Sequence, residues 1–142
     1  MFKEEDLEKL IIDLISDKGY KYVYGDNLER NYEDIIIESD MYDFLYKKYK
    51  KEEITDEEVK NIILSIKNIS NTDLYDSNKR TFLKMVEGEN FTRLDRSKKD
   101  FYLQLFDFEH PENNIFKVCN QVIIKGNQKR IPDAIIYING IP

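Results

Sequence analysis

The sequence contains few of the residues that cross-link or interrupt a fold. Its 142 residues include one cysteine, three prolines and five glycines, and tryptophan is absent. With Cys119 alone, no internal disulfide can form, which fits a reducing compartment. No apolar run approaches the roughly 18–20 residues of a membrane span, and the acidic start MFKEEDLEKL is unlike a signal peptide. These absences predict a soluble cytoplasmic chain without a membrane segment.

Charge and aromatic content narrow the possible class of protein further. Charged residues make up 35% of the chain and leave a formal net charge of −6, which on average repels phosphate backbones and argues against broad non-specific DNA coating. Such a charge is still compatible with carboxylates that hold a hard cation. Ten Tyr and eight Phe supply bulky groups for a core, so a disordered acidic tail is excluded. The length, without repeats or Pro/Gly linkers, predicts a single domain over residues 1–142.

Apolar residues at helical spacing predict helices in the first two thirds of the chain. The predicted helices cover residues 3–18, 40–49, 55–66 and 79–86. One apolar stripe of the first helix is formed by Leu7, Leu10, Ile11, Leu14 and Ile15. Ser39 or Asp40 is expected to cap the second helix, and Thr55 with Glu58 fits a capping box for the third. A turn-rich segment, 71–75, separates the last two helices.

The pattern becomes strand-like in the last third of the chain. Strands are predicted at residues 20–24, 101–108, 115–124 and 133–138, with turns at 109–114 and 126–127. Helices followed by strands are typical of an α+β domain. We therefore expect a mixed, largely antiparallel sheet flanked by helices.

The sequence ends in an unusual way. Asn139-Gly140 follows an apolar strand and is a strong hairpin signal, yet only two residues come after it. A strand that lacks its return partner leaves backbone groups exposed along one edge. We expect a chain that is truncated within a hairpin, and a frayed end after an ordinary edge strand is the alternative.

Several segments, in order, resemble one family. Arg130-Ile-Pro-Asp133 before an apolar strand resembles the first half of the PD-(D/E)xK nuclease motif. Residues 6–20 resemble the opening of type I restriction enzyme R subunits, 106–121 resemble their middle, and 130–142 are similar to the segment before their catalytic Glu-x-Lys. The resemblance spans nearly the whole chain and implies an incomplete restriction-endonuclease-like core.

The chemistry that this resemblance implies is magnesium-dependent cleavage of DNA phosphodiesters by the whole subunit, a type I site-specific deoxyribonuclease. It implies that Asp133 is a catalytic metal ligand. Glu8 is the second catalytic candidate, and a solvent-facing position at the edge of the helix stripe is its alternative. The Glu-x-Lys is expected after Pro142, and no Gly-x-x-x-x-Gly-Lys for ATP occurs in the chain. We therefore expect the fragment to be inactive alone, with ATP bound by a motor region elsewhere in the subunit.

The partners implied by the resemblance are double-stranded DNA and the modification and specificity subunits of a restriction complex. Lys125, Lys129 and Arg130 cluster before Asp133 and are the predicted phosphate contacts. The basic run 47–51 is followed by two glutamates and is interpreted as a solvated helix end.

Other candidates in the sequence favour structural roles. His110 has no companions for a metal site, Cys119 is expected to be a buried small hydrophobe, and Asp107 is expected to cap the next turn. A different class of function also remains open, namely a non-catalytic module whose exposed edge at residues 133–138 recruits a partner strand.

Overall fold

The computed structural model describes residues 3–68 and 73–142 and has the expected α+β architecture. Its helices are α1 (Glu4–Ser16), α2 (Glu38–Lys48), α3 (Asp56–Lys67) and α4 (Leu74–Val86). Its strands are β1 (Lys21–Tyr24), β2 (Glu89–Phe91), β3 (Phe101–Leu103), β4 (Phe116–Asn120), β5 (Ile124–Lys125), β6 (Lys129–Arg130) and β7 (Ala134–Ile138). Short 3-10 helices cover Gly25–Asn27 and Pro111–Asn113. No helix within the described residues has the length and apolarity needed to cross a membrane.

The chain divides into two compact units, and the division falls inside α2. Unit 1 comprises Met1–Asp40 with Ile115–Pro142, and unit 2 comprises Met41–Asn114. In unit 1, β4 is the central strand of a three-stranded mixed sheet, with β1 parallel on one side and β7 antiparallel on the other. The pairs β5–β6 in unit 1 and β2–β3 in unit 2 are small antiparallel sheets. Each unit therefore contains both helix and sheet.

Strand β4 is shorter than the strand predicted at residues 115–124. Its pairing stops at Asn120, and Gln121 takes a left-handed backbone conformation with φ of 52°. Gly25 lies so close to this bend that a Cβ at Gly25 would be 2.3 Å from the carbonyl oxygen of Gln121. The contact requires a residue without a side chain at Gly25. The chain leaves the sheet at this bend, and the predicted long strand becomes β4 and the short β5.

The Asn139-Gly140 pair forms the tight turn that the sequence predicts. Both residues have positive φ, 51° and 79°, as a type I′ turn requires. Ile138 and Ile141 exchange two backbone hydrogen bonds of 2.9 and 3.0 Å across the turn. The buried Asn139 side chain accepts the N–H of Ile115 at 2.7 Å, and the Asn139 N–H donates to the Ile115 carbonyl. The turn is thereby fastened to the residue that precedes β4.

Helix α1 turns a different face inward than its apolar stripe suggests. Four stripe residues are 42–56% exposed, namely Leu7, Leu10, Ile11 and Leu14. Ile12 is buried instead, and Glu8 and Ser16 are partly buried one turn on either side of it. Helical spacing of four places these three residues on one face. The core cluster of unit 1 consists of Leu28, Ile37, Cys119, Val122 and Tyr137.

The α2 and α3 helices of unit 2 follow the predicted pattern closely. Met41, Phe44 and Leu45 of α2 are buried. The expected cap at Ser39 or Asp40 is wrong, because α2 begins at Glu38 and includes both residues. Helix α3 begins at its predicted capping box, formed by hydrogen bonds between the first residue, Thr55, and the fourth, Glu58.

Two other predictions for unit 2 need correction. Helix α4 begins at Leu74, well before residue 79, because Asp73 caps it by accepting the N–H groups of Tyr75 and Asp76. Residues 71 and 72 of the predicted turn lie outside the described residues. The strand predicted at 101–108 ends at Leu103, because the Tyr49 hydroxyl occupies both backbone groups of Gln104.

A buried ion pair connects α3 to the segment after β2. Arg93 donates from Nε to Oε1 of Glu58 at 2.8 Å and from Nη2 to Oε2 at 3.0 Å, and both side chains are at most 2% exposed. Arg93 also donates to the backbone carbonyls of Glu52 and Glu53. Burial alone would raise the pKa of Glu58, but the hydrogen bonds from Arg93 and from two backbone N–H groups lower the pKa to about 2.

We expect Glu58→Gln to destabilise the chain by about 3–5 kcal/mol at neutral pH, because it leaves the buried Arg93 guanidinium without its counter-charge. Since the folded-state pKa of Glu58 is lowered, its contribution is complete above its unfolded pKa, about 4.5, and is lost as the pH falls towards 2. The difference between wild type and variant in urea unfolding should therefore shrink over this interval. Glu57→Gln removes the same charge from an exposed neighbour and should change stability by less than about 0.5 kcal/mol. A Glu58→Gln difference that does not vary between pH 5 and pH 2 would contradict the role of the charge.

We expect Asn139→Gly to cost about 1–3 kcal/mol, because the Ile115 N–H loses its acceptor while the positive φ is still tolerated. Asn139→Ala should cost roughly 1–2 kcal/mol more, because it adds the penalty of a left-handed conformation. Urea unfolding measures both costs, and hydrogen exchange of the Ile115 amide reports the lost bond directly. Asn127→Ala, in the exposed turn between β5 and β6, is the matched control and should leave that exchange rate unchanged. Unchanged Ile115 protection in Asn139→Gly would show that the side-chain bond does not hold the turn.

Candidate functional site

The candidate site lies at one end of the three-stranded sheet in unit 1. There β1 ends with Tyr24, β4 ends with Asn120 and β7 begins with Ala134, and these three residues are partners in register. Asp133 directly precedes β7, and its side chain is exposed. Within residues 3–68 and 73–142 its carboxylate has no hydrogen-bond or ion-pair partner. Asp133 therefore presents two oxygens that are available to a ligand.

Glu8 approaches the same end of the sheet from α1. Its Oε1 accepts a hydrogen bond of 2.9 Å from Nδ2 of Asn120, the residue opposite Ala134. The amide oxygen of Asn120 accepts the hydroxyl of Tyr22 at 2.9 Å. Asn120 thus bonds to two side chains. Glu8 lies on the inner face of α1, not on the solvent-facing side.

A groove of about 440 Å³ borders this hydrogen-bonded group. Glu8, Tyr22 and Asn120 line it together with Ser16 and Gln121. The hydroxyl oxygen of Ser16 is buried and has no hydrogen-bond partner in the part of the chain that the structure describes. The lining of the groove therefore contains both neutral polar and acidic side chains.

The three predicted phosphate contacts lie together on the β5–β6 hairpin. Lys125 is opposite Lys129 and Arg130 is opposite Ile124, and all three basic side chains are exposed. The Lys125 ammonium lies 4.9 Å from the centre of the Tyr32 ring. Like charges directly opposite each other on a ladder are destabilising, so the hairpin carries a positive charge that an anionic partner would offset. Three residues separate Arg130 from β7.

The residues present fit part of a magnesium site. Magnesium takes oxygen ligands, keeps several waters and is usually bound by one or two carboxylates together with substrate phosphates. Asp133 supplies one such carboxylate, and Glu8 is hydrogen-bonded to Asn120, the strand partner of Ala134. Among the described residues, no three His, Cys, Asp or Glu side chains are grouped to hold a metal ion. The described chain thus provides a partial ligand set.

Residues that the sequence assigned to structural roles keep them. Cys119 is fully buried, and burial raises the pKa of its thiol to about 11, so it is a small hydrophobe and not a nucleophile at neutral pH. Asp107 accepts the backbone N–H of His110 at 2.9 Å, as expected for a cap. His110 itself is exposed and lies 3.6 Å from Glu112.

Two residues of this region were missed by sequence reasoning. Tyr22 completes the hydrogen-bonded group with Asn120 and Glu8, and Gly25 permits the bend that ends β4. The strand predicted at residues 20–24 included Tyr22 but did not indicate its partner. Gly25 gave no local signal, because its need for a small residue comes from a segment almost a hundred positions away.

Comparisons with known proteins agree on one family. The model of the family "Type I restriction enzyme R protein N terminus" matches residues 1–142. The chain is 28% identical over 154 aligned residues to the type I restriction enzyme HindI endonuclease subunit of Haemophilus influenzae, with 100% of the chain and 14% of that protein covered. It is 26% identical over 147 residues to a Methanocaldococcus jannaschii protein that carries the name of a type I restriction enzyme MjaIXP endonuclease subunit, with 96% of the chain and 14% of that protein covered.

The chain thus spans about one seventh of the length of these two relatives. The family match covers every position of the sequence, including the segments around Glu8, Asn120 and Asp133. The chain belongs to the family of N-terminal regions of type I restriction enzyme R proteins.

Proposed function

We propose that this chain is the N-terminal part of the DNA-cleaving, ATP-dependent translocating subunit of a type I restriction-modification enzyme, and that its unit 1 carries half of the nuclease site. The observation that supports this proposal best is the position of Asp133. A carboxylate without a partner among the described residues precedes β7, beside the strand end where Asn120 holds Glu8. The subunit's substrate is then double-stranded DNA, its ATP site lies in a part of the subunit beyond this chain, and its partners are the modification and specificity subunits.

The role of each group follows from its placement. Asp133 would hold magnesium through a carboxylate oxygen, and Glu8 would be the second acidic group at the site, oriented by Asn120. Bound magnesium would polarise the scissile phosphate and favour ionisation of an attacking water. Lys125, Lys129 and Arg130 would contact phosphates of the same strand of DNA and hold it beside Asp133.

The remaining groups of the motif are expected on the strand that follows the Asn139-Gly140 turn. The bonded pair Ile138 and Ile141 already begins an antiparallel return alongside β7. A Glu-x-Lys on such a strand would supply the second firm carboxylate and an ammonium group. The chain alone, which has neither at this place, is expected to be inactive.

The position of β7 also supports a second candidate function. Within the described residues β4 is the only named strand that pairs with β7, the Ile138–Ile141 bridge at the turn aside, and Ile136 is 42% exposed. An edge of this kind can take up a partner strand without any catalysis. The two candidates differ in what they require of Asp133.

We expect Asp133→Asn in the complete subunit, assembled with its partners, to lower magnesium- and ATP-dependent cleavage of plasmid DNA by at least roughly 100-fold. The loss corresponds to several kcal/mol of metal-borne charge stabilisation. ATP hydrolysis should be unchanged, because Asp133 is exposed and lies outside the motor region. Asp17→Asn, at another exposed aspartate of unit 1, should retain full cleavage. Wild-type cleavage by Asp133→Asn would refute the proposed nuclease role and leave the interaction module as the better candidate.

We expect Glu8→Gln to separate a catalytic from a structural role at this position. The glutamine oxygen still accepts the hydrogen bond from Asn120, so the melting temperature should not change, whereas the lost charge should lower cleavage by roughly 10-fold or more. Glu4→Gln, in the exposed first turn of α1, is the matched control and should behave as wild type. Equal cleavage by Glu8→Gln and wild type would mean that Glu8 only positions Asn120.

A further inference from the structure

A second basic surface lies in unit 2, in an open groove beside the end of α2. The groove has a volume of about 590 Å³. Its charged and titratable lining consists of Lys47, Lys48, Lys50, Lys51, Asp107 and His110. The sequence suggested that this lysine run is only a solvated helix end next to two glutamates. The structure gives the four lysines one shared concave surface.

The acidic residue in the groove is already neutralised from within. Lys48 Nζ lies 3.0 Å from Asp107 Oδ2, and both side chains are largely buried. Asp107 also accepts the N–H of His110 and the amide of Asn113. Burial alone would raise the pKa of Asp107, but these donors and Lys48 lower the pKa to about 2. Asp107 therefore stays paired and ionised, and it leaves the other lysines uncompensated.

Lys47, Lys50 and Lys51 are the uncompensated group. All three are exposed, and within the described segments none of them has a carboxylate in salt-bridge range. Of the acidic side chains near them, Glu53 binds Lys98 at 3.0 Å and Glu112 faces His110, and Glu52 forms no salt bridge with a described residue. Exposed cations without partners concentrate positive potential in a concave surface.

The backbone that carries these lysines is held rigidly. Tyr49, between Lys48 and Lys50, is 5% exposed and stacks on Phe101 with ring centres 4.7 Å apart. Its hydroxyl accepts the N–H of Gln104 at 2.6 Å. Tyr49 therefore does not stack on bases, and it fixes the helix end from which the three lysines extend. The groove is therefore a fixed electrostatic surface, and Phe44, which also lines it, is only 2% exposed and offers no stacking platform.

We propose that the groove at Lys47, Lys50 and Lys51 binds the phosphodiester backbone of duplex DNA and gives unit 2 a sequence-independent DNA contact of its own. The identity of the polyanion rests on the function proposed above. Lysine ammonium groups act as point charges for phosphates, and duplex DNA presents about one charge per 1.7 Å of axis. The groove is open and far larger than one phosphate, which favours a polymer over free phosphate.

The test is duplex binding by the 142-residue chain without magnesium, measured by fluorescence anisotropy over a series of salt concentrations. The triple variant K47Q/K50Q/K51Q should reduce the magnitude of the slope of log affinity against log salt by about 2–3. It should also weaken binding at 0.1 M salt by up to roughly 500-fold. Replacement of the same three lysines by arginine should preserve the slope. Replacement by glutamine of three other exposed lysines should change the slope far less; these are Lys18, Lys21 and Lys79.

Each result decides the proposal. An unchanged slope in the triple variant, an equal loss in the Lys18/Lys21/Lys79 variant, or no duplex binding by the wild-type chain at low salt would overturn it. Displacement of the duplex by inorganic phosphate or a nucleotide at equimolar concentration would also overturn it, in favour of a small-anion site. Circular dichroism checks that the variants remain folded. Because this binding assay contains no magnesium and measures no cleavage, failure of this groove and failure of the nuclease proposal are observed separately.

Discussion

Strand β4 is hydrogen-bonded along both of its edges, and the geometry of unit 1 depends on this double pairing. One edge holds β1 in parallel and the other holds β7 antiparallel, so Asn120 is the partner of both Tyr24 and Ala134. Any shift of β4 by one residue would turn its side chains to the opposite face. Such a shift would bury Lys117 in place of Val118 and move Asn120 away from Glu8. The position of the candidate ligands is therefore set by strand register and not by contacts between the ligands themselves.

Local signals were sufficient where a few neighbouring residues determine the structure. The Thr55–Glu58 capping box and the Asn139-Gly140 turn were predicted because their hydrogen bonds and φ angles are local. The end of β4 was not predictable in this way. Residues 115–124 are apolar enough for one long strand, and the break at Gln121 arises from its contact with Gly25, which is distant in sequence. The same holds for β3, which ends where Tyr49 binds Gln104.

Helix α1 shows why a correct helix prediction did not identify the face that contacts the sheet. A stripe of Leu7, Leu10, Ile11 and Leu14 defined the helix, yet Ile12 is the residue that it buries. Helical periodicity determines which residues share a face, but it does not determine which face a sheet will cover. Glu8 shares its face with Ile12, so its approach to Asn120 became apparent only with the tertiary structure. The resemblance of residues 6–20 to the family likewise indicated a helix, but it did not settle the role of Glu8.

The net charge of −6 is a poor guide to where this chain can meet a polyanion. Many of its carboxylates are internal partners, as in the pairs of Glu58 with Arg93, Asp107 with Lys48 and Asp40 with Lys117. Each such pair neutralises one acidic and one basic group together, whereas the lysines of the α2 end and of the β5–β6 hairpin have no carboxylate partner in the described segments. Beyond a Debye length of about 8 Å at physiological salt, the remaining acidic surface is screened from these lysines. Local positive surfaces and an acidic total charge are therefore compatible in one chain, and affinity for DNA depends on the former.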